Sequence, residues 1–145
     1  METKKTMKVL VFKPGQKSEI VELPIDHDYT DIKKLLEIDS PIDCATRKIG
    51  DKYFDIWCDD EGLLKDNLRA SAFNDLSKDY LKEVICGNIV IANSNEEGET
   101  VGLTDADIAL IQSSTKIIDK PNLGFSSNFG DITLELNSEV LLYDF

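Results

Sequence analysis

The sequence predicts an α+β fold: a mostly antiparallel sheet built from hairpins, with two or three short helices. Three observations predict it. Short β-branched and aromatic runs are punctuated by turn residues at Pro14-Gly15, Gly50-Asp51 and Asn137-Ser138. Helical spacing of apolar residues occurs only over brief stretches. The length, 145 residues of which 41% are apolar and 30% charged, suits one core of ordinary size, so a single domain over 1–145 is expected.

Lys8-Val9-Leu10-Val11-Phe12 reads as a strand; Pro14-Gly15 breaks it, and Ser18 to Leu23 resumes in alternation, giving a first hairpin that Pro24 ends. From Thr30, Ile32, Leu35 and Leu36 fall at i, i+3 and i+4, with Asp28 or Thr30 as N-cap and Asp31 in the first turn. That short helix stops before Pro41. Ile42–Ile49 and Lys52–Cys58 form a second hairpin across Gly50-Asp51. On its second strand Phe54, Ile56 and Cys58 share one face, and Tyr53, Asp55 and Trp57 the other.

Asp59-Asp60-Glu61-Gly62 is a polar turn, and Asp75 to Cys86 is ambiguous, with Leu76, Tyr80, Leu81, Val84 and Ile85 near helical spacing. Asn88 to Ala92, with its continuous apolar run, reads as a central strand, followed by an exposed acidic loop from Asn93 to Glu99. Thr104-Asp105-Ala106-Asp107 resembles a capping box with Asp in place of Glu and opens a helix through Ile108 and Ile111. Residues 120–130 carry loop chemistry. Asp131–Leu136 and Glu139–Tyr143 are expected to pair as a third hairpin across Asn137-Ser138.

Charge narrows the function. The net charge is −12 and Arg47 and Arg69 are the only arginines, which disfavours direct nucleic-acid binding, since that relies on clustered Lys and Arg. The acidic balance serves either solubility or an acidic face that engages a basic partner, for instance by imitating a phosphate track. No apolar run approaches the roughly 20 residues of a membrane span, and no secretory signal is visible, so a cytoplasmic location is expected and no membrane partner. Cys44, Cys58 and Cys86 are odd in number and widely spaced, the pattern of reduced structural thiols; no metal site and no cofactor are expected.

Catalytic constellations are not visible. His27 is the only histidine, in Asp26-His27-Asp28, and no Gly-x-Ser-x-Gly elbow, Walker-type loop or Gly-x-Gly-x-x-Gly run accompanies it. The acidic turns do not follow the Ca²⁺-loop spacing. We therefore expect no enzyme. The candidate binding residues are the aromatic and acidic strand face of Tyr53, Asp55 and Trp57, the adjoining turn of Asp59, Asp60 and Glu61, and the pair Asn67 and Arg69. The strand face is either an interface patch or is buried, with Asp55 at a strand end. Arg69 serves either a structural ion pair or a phosphate or carboxylate clamp.

Met7-Lys8-Val9-Leu10-Val11-Phe12-Lys13-Pro14-Gly15, then Asp55-Ile56-Trp57-Cys58-Asp59-Asp60-Glu61-Gly62, then Val84-Ile85-Cys86-Gly87-Asn88-Ile89-Val90-Ile91 and Gly98-Glu99-Thr100-Val101-Gly102-Leu103-Thr104-Asp105, in this order, resemble the family called domain of unknown function 3846. The likeness spans about Met7 to Gln112, which marks 7–112 as a family-like core and 113–145 as a C-terminal loop and hairpin extension. Asp39-Ser40-Pro41 stands where that family has a Gly-Gly junction. The family is common in phages and mobile elements of Gram-positive bacteria and brings no assigned activity. The resemblance implies a small, acidic, non-catalytic protein of the host bacterial cytosol, acting as a counter-defence inhibitor of a host protein, with DNA mimicry as one means. The alternatives are a sponge for a small nucleotide signal, with Trp57 or Tyr53 stacking and Arg69 on phosphate, and, last, a small enzyme. The C-terminal hairpin is the expected place for a homo-oligomer contact.

Overall fold

The computed structural model describes residues 5–14, 16–61, 70–74, 84–118, 123–127, 130–134 and 138–143. In chain order the elements are β1 (Thr6–Phe12), β2 (Glu19–Pro24), α1 (Tyr29–Leu36), β3 (Ile42–Ile49), β4 (Lys52–Asp59), β5 (Ala70–Asn74) and β6 (Val84–Cys86). There follow β7 (Ile89–Ser94), β8 (Thr100–Val101), α2 (Asp105–Ser113), β9 (Thr115–Ile118), β10 (Leu123–Ser127), β11 (Gly130–Leu134) and β12 (Ser138–Tyr143). This is an α+β fold dominated by antiparallel pairing.

The two expected hairpins form, and β7 joins them. The larger sheet runs β2-β1-β7-β4-β3, with β8 paired to the end of β7. In the β3–β4 hairpin the register runs from Ile49 opposite Lys52 to Ile42 opposite Asp59. Gly50 takes φ 64° in the two-residue turn, at the first central position, where such a hairpin favours glycine. A side chain there would also meet the Leu110 side chain, 2.6 Å from the added Cβ.

Both faces of this sheet are covered. On one, Met7, Val9, Val11, Leu23, Val90 and Ala92 pack against Ile32 and Leu36 of α1. Asp28 caps that helix: its Oδ1 accepts from the N–H groups of Thr30 (2.9 Å) and Asp31 (3.2 Å), and its own N–H donates to Asp31 Oδ2 at 3.2 Å. At the other end Glu37 turns left-handed (φ 58°, ψ 44°). Asn88 Nδ2 donates to Leu36 O (3.2 Å) and Glu37 Oε2 (2.7 Å), which ties the helix end to the start of β7.

On the opposite face Leu10, Phe12, Phe54, Ile56, Ile89 and Ile91 meet Ile108 and Ile111 of α2 together with Ala72, Ile85 and Leu141 of a second sheet, ordered β6-β5-β12-β9. Thr104 caps α2, as its capping box predicts. The buried Asp107 does more than cap. It accepts from Lys52 Nζ (2.6 Å), from Thr104 N–H (3.0 Å) and from Asn93 Nδ2 (3.4 Å), and so joins α2 to β4 and β7. Burial pushes its carboxyl upward, but the hydrogen bonds from Lys52 and Thr104 and the Lys52 charge outweigh that and hold it below the ordinary value of 3.8.

The C-terminal strands depart from expectation. Among the described residues β11 and β12 do not pair with each other: β11 pairs with β10, and β12 enters the second sheet, parallel to β5 and antiparallel to β9. β10 lies in the stretch that reads as loop, because Gly124 and Ser126-Ser127 dilute the alternation of Leu123 and Phe125; in the backbone register these two residues pair with Leu134 and Ile132. Leu141, fully enclosed in the core, requires β12 to run through the second sheet. In the ambiguous Asp75–Cys86 stretch, Val84–Cys86 is a strand, and 75–83 lie outside the described residues.

Two substitutions test this packing. Gly102 passes close to β1: an added Cβ would stand 2.8 Å from Met7 Cβ and 3.2 Å from Lys8 N. Gly102→Ala is expected to destabilise by about 2 kcal/mol, the scale of overpacking, seen as a lower urea midpoint at unchanged slope. Asp107→Ala is expected to cost about 2–3 kcal/mol at neutral pH through the lost cap and buried hydrogen bonds. Because the folded-state pKa of Asp107 is lowered, its contribution is present above the ordinary value of 3.8 and lost as pH falls through the folded value. The wild type and Asp107→Ala should therefore converge in stability in acid, as read by urea titrations across pH.

Candidate functional site

α1 has eight residues and is about 12 Å long, too short to cover its face of the sheet. Where it begins, the face opens into a cleft of about 550 Å³. The floor comes from the strands, in an order set by their register. Thr46, Asp55 and Ala92 stand in one cross-strand row, and Cys44, Trp57 and Val90 in the next. The walls come from His27, Asp28, Tyr29 and Ile32 at the helix start and from Ser94, Gly98 and Thr100 of the β7–β8 hairpin.

Asp55 is buried, and Thr46 Oγ1 donates to its Oδ1 at 2.9 Å. Trp57 is half-buried, with Nε1 enclosed; among the described residues it is the one buried side-chain nitrogen or oxygen with no hydrogen-bond partner. The Tyr29 ring lies 5.8 Å from the Trp57 ring, centroid to centroid, at 56°, and is 65% exposed, so it forms the rim. His27 Nδ1 is 2.9 Å from Pro24 O. A carbonyl oxygen only accepts, so Nδ1 carries the proton.

The cleft is acidic. Asp28 and Asp55 line it, and no Lys or Arg does among the described residues. Partial burial pushes the Cys44 thiol up to about 12, with the Asp55 and Asp43 charges adding to it. Burial likewise pushes up Cys58, where Asp43 and other neighbours contribute, and Cys86, each to about 12. Among the described residues no group of three or more His, Cys, Asp or Glu side chains is arranged to hold a metal ion, and no helix is long and apolar enough to cross a membrane.

Of the residues singled out from sequence, Asp55 and Trp57 come together in this cleft. Tyr53 shares their face but stands 60% exposed and outside the lining. Asp55 sits within β4 and not at a strand end, buried beside a half-buried Trp57, so the face is neither wholly an open patch nor wholly core. Asp59 accepts from Ser40 Oγ (2.7 Å) and Glu61 N–H (2.9 Å), and the Asp60 N–H donates to Pro41 O (3.0 Å). Those contacts close the end of β4, and the exposed Glu61 belongs to the same turn. Asn67 and Arg69 lie outside the described residues. Tyr29 and Thr46 are not among the candidates read from sequence, where His27 appears as the only histidine and Cys44 as a structural thiol. The hairpin turn at Gly50-Asp51 carries the signal for Thr46, since counting back from it sets Thr46 opposite Asp55.

Residues 7–116 match the family described as Domain of unknown function (DUF3846). No curated protein and no solved structure matches the chain. The matched span contains both helices, nearly all of the larger sheet and every residue lining the cleft. The chain belongs to the DUF3846 family.

Proposed function

We propose that this protein is a non-catalytic binding protein, encoded by a phage or mobile element, whose acidic surface engages a basic host defence protein in the bacterial cytosol and inhibits it. The observation that carries the reading is the sign of the cleft: its described lining has two carboxylates and no Lys or Arg, on a chain of net charge −12. Such a field draws basic partners and repels anionic ones. The counter-defence role rests on the setting in which the family is common.

Thiol chemistry gains no support from the cysteines: Cys58 and Cys86 are buried, and the surroundings of all three push the thiol up, away from the reactive thiolate. A sponge for a nucleotide needs a cation opposite its phosphate, and the carboxylates of the cleft oppose that ligand. Imitation of a DNA phosphate track fits the overall charge, with carboxylates in place of phosphates.

Two measurements test the reading. Raising a thiol from 9 to about 12 lowers its thiolate fraction at pH 8 about a thousandfold, partly offset by greater nucleophilicity. Native protein should then react with a disulfide reagent roughly 30-fold more slowly than urea-unfolded protein; a fast-reacting native cysteine would count against a non-catalytic chain. Affinity-tagged protein recovered from host cells at low salt should carry a basic protein, identified by mass spectrometry, that leaves as salt rises. A co-purifying nucleotide, or a salt-insensitive complex, would overturn the electrostatic reading.

A further inference from the structure

We propose that the cleft between Tyr29 and Trp57 is a pocket for one arginine side chain of the partner protein, with Asp55 as counter-charge and the Tyr29 ring as stacking surface. The proposal deepens the binding reading above and rests on it.

Four features of the cleft point to this ligand. Asp55 is buried, yet the described residues give it a single hydrogen-bond donor, Thr46 Oγ1. An ionised carboxylate has about four acceptor sites, so most of its capacity is unused by the chain. A guanidinium fills that capacity with two parallel N–H donors and brings the opposite charge. The second feature is the aromatic corner. Tyr29 and Trp57 meet at 56°, and the Tyr29 ring is largely exposed, which leaves a π-face open to a cation.

Third, Trp57 Nε1–H is enclosed without an acceptor. Enclosed, that donor is out of a ligand's direct reach, so the cleft offers a ligand the Asp55 carboxylate and no free indole donor that would favour an anion. Fourth, the volume of about 550 Å³ falls in the range of small-ligand sites, with room for one long side chain and its adjoining backbone. Arginine fits better than lysine. Its fork is planar, stacks on rings and is weakly hydrated, whereas an ammonium is a strongly hydrated point charge that stacks poorly.

Trp57 is the only tryptophan of the chain, so intrinsic fluorescence reports on the cleft. The probe is the capped tripeptide Gly-Arg-Gly, compared with its lysine and citrulline counterparts and with a nucleoside monophosphate. The arginine peptide should give a saturable change in tryptophan emission, in the millimolar range expected of a single residue. Citrulline, neutral and nearly isosteric, should bind about tenfold more weakly. Asp55→Asn should abolish the response, and Tyr29→Ala, at a largely exposed position, should weaken it, with far-UV circular dichroism and urea midpoint unchanged. Equal binding of citrulline, tighter binding of the nucleotide, or no saturable change would overturn the pocket.

The same variant separates this proposal from its parent. If Asp55→Asn still captures the basic protein from host cells and high salt still releases it, the arginine pocket falls and the acidic-surface reading stands. Loss of capture in Asp55→Asn supports both. If the wild type captures no basic protein, the parent reading falls, and so does the assignment of the arginine to a host partner. Should Asp55→Asn fail to fold, Tyr29→Ala decides the pocket through the peptide titration.

Discussion

The structure depends on one strand that must be apolar on both sides. β7 is hydrogen-bonded to β1 and β4, and it supplies Ile89 and Ile91 to one core and Val90 and Ala92 to the other, all at most 1% exposed. A strand with two apolar faces is stable only if both are covered. α2 and the second sheet cover the first, and among the described residues α1 covers the second. The helix does so for only part of the strand. Its far end is held by Asn88 and its near end is set by the Asp28 cap, so the bare region falls beside Tyr29. There the sequence of the floor turns polar, with Thr46 and Asp55 on one row and Ser94 beyond Ala92. The cleft exists because α1 is short, and its residues match the loss of cover.

Polar groups then divide into two kinds. Asn88, Asp107 and Lys52 make several contacts each or close tight pairs that fasten the helices to the sheet. The burial of Asp107 is compensated within the chain. Asp55 differs: it is buried, and the described residues give it one hydroxyl donor. Removing a carboxylate from water without full pairing is unfavourable. That unfavourable term is what an incoming cation relieves, and it makes the site discriminate by charge sign. Two residues along the same strand, the enclosed Trp57 Nε1–H has no hydrogen-bond partner among the described residues.

Local chemistry made much of this readable. The Pro14-Gly15 and Gly50-Asp51 turns, the Asp28 and Thr104 caps and the apolar run of β7 act over a few residues, and each is where those residues imply. Tyr53, Asp55 and Trp57 were legible as one strand face for the same reason. Partners distant in sequence were not. That β12 runs beside β5, and that Tyr29 folds back onto Trp57, follow from which faces remain uncovered after the hairpins form. A hairpin between neighbours is the default pairing, and for the last strand the enclosure of Leu141 overrides it. The lysine that compensates Asp107 is likewise 55 residues away, out of reach of any local pattern.

The last strand also changes how the family boundary should be understood. The match ends at residue 116, and a likeness ending there suggests a core with an added tail. Packing says otherwise. Leu141, beyond the match, belongs to the same apolar cluster as Leu10, Phe54, Ile89 and Ile111 within it. β12 lies between β5 and β9, so β6 and β5, inside the matched span, are joined to β9, at its edge, through a strand that lies outside it. A chain carrying the matched span alone would leave Ala72 of β5 without its Leu141 neighbour and the face of the larger sheet beneath it less covered. The boundary is one of sequence similarity and not of the core. The described lining of the cleft, by contrast, lies inside the matched span, on the face of the larger sheet opposite the one whose cluster includes Leu141.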